Sequence, residues 1–131
     1  MSKKFIQYGF IAAGLTNVVG GLIFSKFFSN DLLSSLQPDV LSNFSIIGII
    51  LWGLAYIAVA KNFAAVKWLV TVFTIEKLAY AIVWAKWITT NDVSQVFEQD
   101  TLTGVFYSIY GPSDFAFGVF FAVVAWRLFK K

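Results

Sequence analysis

The chain contains no cysteine and no histidine, and only two of its 131 residues are proline. Without cysteine there is no disulfide and no thiol nucleophile. Thiolate and imidazole ligands for haem, copper or iron–sulfur clusters are missing as well, and a Ser-His-Asp triad cannot be assembled. No cofactor and no metal is expected. Charge is also scarce: 13% of residues are Asp, Glu, Lys or Arg, against about 25% in an ordinary soluble domain. The net charge of +3 does not point to nucleic acid, because basic residues in so apolar a chain report membrane orientation first.

What the chain does have is apolar residues, 59% of the total, with a mean hydropathy of +0.76. They fall in four blocks, at about residues 5–28, 44–60, 66–88 and 105–129, divided by polar clusters such as Ser29-Asn30-Asp31 and Thr89-Thr90-Asn91-Asp92. A helix needs about 20 residues to cross the hydrocarbon core. The second block is short and is expected to borrow Ser42-Asn43 or Lys61-Asn62 at its ends. The predicted fold is all-α: one integral membrane domain, residues 1–131, folded as a four-helix bundle whose first partner is the lipid bilayer.

The basic residues predict orientation. With both termini in the cytoplasm, Lys3, Lys4, Lys61, Lys67, Arg127, Lys130 and Lys131 lie inside, and only Lys26 and Lys86 lie outside. Short loops are where this asymmetry orients a chain most strongly. All the loop acids (Asp31, Asp39, Asp92, Glu98 and Asp100) then lie outside. Trp68, Trp84, Trp87 and Trp126 fall near span ends, as an aromatic belt does. The first block has the basic start of a signal peptide but lacks an Ala-x-Ala-like site after it, so it is expected to stay as a span. The outer segments 31–43 and 92–103 carry spaced leucines and valines, the pattern of short amphipathic helices. The short spans and loops suggest a bacterial inner membrane.

Five polar residues interrupt the apolar blocks at depth: Asn17, Glu76, Lys77, Tyr80 and Asp114. Ionisable side chains inside a span are costly and mark function by default. Asn17 lies in the small-residue stripe Gly9, Ala13, Asn17 and Gly21, and Asp114 opens the stripe Asp114, Gly118, Ala122 and Ala125. Such stripes mark close helix packing. The expected assembly is one mid-membrane cluster, with Lys77 paired to Asp114 across helices and Glu76 hydrogen-bonded to Tyr80 or Asn17. Neighbours along a helix do not face each other, which disfavours a Glu76–Lys77 pair. The plainer alternative is that the charges only fix helix register. Pro112 is read either as a kink in the fourth span or as the start of its main helical part.

Four short helices, the first span "YGFIAAGLTNVVGGLIFS" and the acid-bearing "IEKLAY" resemble the DoxX-like small bacterial membrane proteins. That resemblance implies a small four-helix membrane bundle and names no substrate. Sterol isomerases of four helices are a second analogy, but their catalytic histidine has no counterpart here. The leading expectation is a module that binds or passes a small amphipathic molecule or a proton, as a homodimer because four helices enclose little volume. In that reading Glu76 exchanges the proton, Lys77 and Asp114 are its charge partners, and Asn17 and Tyr80 orient it. The alternatives are an accessory subunit of a larger membrane complex, and an acid–base isomerase acting on a lipid.

Overall fold

A computed structural model describes all residues, Met1–Lys131. The chain is all-helical in class, 89% helix and without strands. Four helices are long and apolar enough to cross a membrane. In chain order the helices are α1 (Lys3–Phe24), α2 (Asp31–Leu36), α3 (Pro38–Leu41), α4 (Asn43–Val59), α5 (Lys67–Thr90), α6 (Val93–Gln99) and α7 (Thr101–Lys130), with a 3-10 segment, Ala60–Ala65, after α4. The backbone divides into two compact units, Met1–Asn62 and Phe63–Lys131.

In the first unit, α1 and α4 form an antiparallel pair that closes through glycine. A Cβ placed on Gly53 would lie 2.7 Å from both the Asn17 Cβ and the Gly14 carbonyl oxygen. A Cβ on Gly14 would meet Ile57 and the Gly53 carbonyl in turn. Backbones approach this closely in membrane helix pairs only where side chains are minimal. The packed face of α1 runs through Ile6, Phe10, Ala13, Gly14 and Asn17. It therefore shares Ala13 and Asn17 with the expected stripe, whereas Gly9 and Gly21 lie at its margins.

The first apolar block was expected to stay helical to residue 28, but α1 ends at Phe24. Lys26, Phe27 and Phe28 follow with φ of 51°, 56° and 69°, a left-handed turn without a glycine. Each such residue costs roughly 1–2 kcal/mol, and two buried polar side chains hold the turn in place. The Ser25 hydroxyl accepts from the Phe28 amide at 3.1 Å, and the Ser25 carbonyl accepts from the Ser29 and Asn30 amides. The Asn30 side chain donates to the Phe24 carbonyl at 2.8 Å and accepts from the Leu33 amide at 3.2 Å. Asn30 thus closes α1 and caps α2 together.

In the second unit, α5 and α7 form the other antiparallel pair. Its seam on α7 is Tyr107, Gly111, Asp114, Gly118, Phe121, Ala125 and Leu128, alternating steps of four and three. That spacing keeps one stripe against a partner helix. On α5 the buried positions are Val70, Phe73, Lys77, Ala81 and Trp87. Phe73 meets Phe121 with ring centroids 5.6 Å apart, and Trp87 meets Tyr107 at 4.3 Å. The fourth span starts at Thr101, earlier than the expected 105, because Asp100 caps it: its carboxylate accepts from the Thr103 amide at 3.2 Å and the Thr103 hydroxyl at 2.6 Å. Helix α7 continues through Pro112, so this proline does not begin the span.

Candidate functional site

Lys77 occupies a seam position of α5, and Asp114 a seam position of α7. The two meet, with the Lys77 Nζ donating to Asp114 Oδ1 at 2.9 Å. This is the cross-helix pair expected from the sequence. The Lys77 side chain is 1% exposed and that of Asp114 16%, so the cation is sealed and its partner is less completely covered. Gly118, one turn beyond Asp114, lets α5 come close: a Cβ there would stand 3.0 Å from the Leu78 Cδ2 and in van der Waals contact with the Lys77 Cβ. The ammonium also lies 5.9 Å from the centre of the Phe117 ring, an orientation in which the ring face attracts a cation.

The level of the pair follows from helix rise. Lys77 stands ten residues into α5, about 15 Å along its axis, and Asp114 thirteen residues into α7, about 20 Å. Both distances fall near the middle of an apolar layer about 30 Å thick. A lysine sealed at that depth is a long way from either interface, and here it is met by a carboxylate instead of water.

Glu76 and Tyr80 lie one turn apart along the edge of the α5 seam, both half-buried. The Tyr80 hydroxyl is within electrostatic reach of Glu76 and Asp114. Four of the five predicted site residues therefore share the second unit, with Lys77 in the seam and Glu76 at its edge. Asn17 belongs to the first unit. Its amide nitrogen donates to the Ile49 carbonyl at 3.0 Å, which ties α1 to α4. No group of three or more acidic side chains converges in a way that would hold a metal ion.

One polar contact of this helix pair was not anticipated. The Trp84 indole donates to the Tyr107 carbonyl at 2.6 Å, five residues before Pro112. The Trp84 ring lies against Gly111, where any Cβ would collide with it. Pro112 has no amide to give the Ser108 carbonyl four residues back, and the carbonyl that Trp84 reaches is the one beside it. The sequence does carry Gly111-Pro112. What it lacks is a local mark linking that dipeptide to a tryptophan on another helix.

Comparison with known protein families, curated proteins and solved structures gave no match.

Proposed function

We propose that the protein is a multi-pass inner-membrane protein, with both termini cytoplasmic, whose α5–α7 pair binds or passes a small amphipathic molecule or a proton. The observation that carries the reading is the Lys77–Asp114 pair, one partner 1% exposed and the other 16%, with a second carboxylate, Glu76, on the adjoining residue of α5. Ionisable side chains inside a span are costly and are kept mostly where they serve a proton or ion path, and the closeness of Glu76 to the Lys77–Asp114 pair supports such a path. In this reading Lys77 is the fixed cation, Asp114 its partner, Glu76 the exchanging acid and Tyr80 the hydroxyl that orients it. The contact of the Asn17 amide with the Ile49 carbonyl supports a role for Asn17 in holding the first helix pair.

An accessory role within a larger membrane complex is the second reading. It is supported by the α1–α4 pair, which closes on Gly14 and Gly53 and carries no Asp, Glu, Lys or Arg within α1 beyond Lys4 or within α4. Acid–base chemistry on a lipid ranks third, since no further general acid or base accompanies the cluster.

Difference infrared spectroscopy on the protein in lipid, wild type against Glu76→Gln, tests the first reading. A protonated carboxyl band at neutral pH that vanishes in the variant, with reduced proton flux in proteoliposomes, is the expected result. Absence of the band together with unchanged flux would sink the exchange role and leave the accessory reading in its place.

A further inference from the structure

Within the second unit, an open groove of about 560 Å³ lies where α5 begins and α7 ends. Val66, Leu69 and Leu128 line it with apolar surface, while Lys67, Trp68 and Lys131 bring charge and an aromatic ring to it. Lys67 is held in position: its ammonium lies 4.7 Å from the centre of the Phe129 ring. That ring meets Trp68 edge to face at 4.8 Å. A second lysine–aromatic pair adjoins on α7, with the Lys130 ammonium 4.2 Å from the centre of the Trp126 ring. The Trp68 side chain is 69% exposed and that of Trp126 61%, so both rings stay open to the surroundings.

The side chains around the groove carry charge of one sign. From Phe63 to Ile75 and from Phe115 to Lys131 the chain has no Asp or Glu, while it has Lys67, Arg127, Lys130 and Lys131. An anion is therefore the complementary occupant. The apolar lining and the open tryptophans argue against a freely diffusing anion. Leu69 and Val72, 37% and 44% exposed, extend apolar surface from the groove along α5 toward mid-span. A ligand that places a phosphate between lysines and hydrocarbon along a spanning helix is a phospholipid, and basic pockets between spanning helices bind anionic headgroups in this manner.

The geometry points to a binding site for one anionic phospholipid, with its phosphate between Lys67 and Lys131 and its acyl chain along Leu69 and Val72. The site lies at the end of the α5–α7 pair and does not depend on the proton-exchange reading.

Native mass spectrometry of the full chain released from mild detergent tests the assignment, with phosphatidylglycerol and phosphatidylcholine supplied at equal concentration. One phosphatidylglycerol should remain bound per chain, and phosphatidylcholine should not. Affinity should fall roughly fivefold for each lysine lost in Lys67→Gln and Lys131→Gln. The Lys3→Gln/Lys4→Gln double variant, which loses the same charge elsewhere, should bind as wild type does. Equal retention of both lipids would overturn the proposal, as would equal loss in the Lys3/Lys4 control. Displacement of the lipid by millimolar inorganic phosphate would also overturn it, because the apolar part of the site would then contribute nothing.

Discussion

Lys77 and Asp114 meet because each takes a seam position of its helix, where the i+3/i+4 pattern would otherwise place an apolar residue. Taking both ions out of water is costly, and their attraction offsets that cost only while both are present. The two single variants and the double variant should therefore differ sharply. Lys77→Met or Asp114→Leu alone should destabilise the fold by about 3–5 kcal/mol, whereas the two together should be close to neutral. Unfolding free energies in bicelles, arranged as a double-mutant cycle, check this. Additive losses would show that the ions do not depend on each other. The pair was legible in the sequence because helical spacing and depth are both one-dimensional arithmetic: Asp114 and Gly118 are four apart, and Lys77 stands at a matching depth on an antiparallel neighbour. Glu76 was read into the same cluster; a difference of one residue turns a side chain by about 100°, and Glu76 lies at the seam's edge.

At the scale of elements, most span boundaries were legible to within two residues, while the start of α7 and the end of α1 were each missed by four. Ser2, Ser42, Asp92 and Asp100 each accept from an amide of the helix that follows, and such caps can be seen in sequence as polar residues ahead of apolar runs. The end of α1 had no such mark. A left-handed turn usually calls for glycine, and here Lys26, Phe27 and Phe28 adopt it under the hold of Ser25 and Asn30, which no local rule reveals. The cap of α6 makes a prediction about pH. The Ser94 hydroxyl, at 2.6 Å, and the Ser94 amide, at 3.0 Å, both donate to Asp92, and these bonds hold its carboxyl below the usual 3.8. A carboxyl with a depressed folded pKa favours the helix fully above its unfolded value and loses that contribution as pH falls through the folded one. The first turn of α6 should accordingly be protected at neutral pH and fray below about pH 3.8. Amide exchange at Ser94 should show this in the wild type. Asp92→Asn, which keeps an acceptor without a titrating charge, should vary much less across the same range. Equal behaviour of the two would mean that the charge contributes nothing to the cap.

For the whole molecule, span number was the most legible property, because it rests on summed hydropathy over some 20 residues and single misread positions average out. The pairing of α1 with α4 and of α5 with α7 was less so, since it depends on where Gly14, Gly53 and Gly111 let two chains approach. Orientation follows from a different sum, the distribution of basic residues among short loops. Of the ten Lys and Arg residues, all but Lys77 lie outside the middle of the spans. The proposed arrangement puts seven of these nine on the cytoplasmic side, with Lys26 and Lys86 opposite. The absence of cysteine makes the arrangement testable without background. Ser35, Asn62 and Glu98 are each exposed, so Ser35→Cys, Asn62→Cys and Glu98→Cys should fold normally. In intact cells a membrane-impermeant maleimide should label the variants at Ser35 and Glu98, and should reach the one at Asn62 only after permeabilisation. Ser35 and Glu98 lie an even number of spans apart, whereas Asn62 is one span from Ser35. Any pattern in which Ser35 and Glu98 disagree would therefore refute four crossings. Labelling of Asn62 alone in intact cells would keep four crossings and reverse the orientation. The groove at Lys67 and Lys131 would then face the outer leaflet, and its lipid would have to come from there.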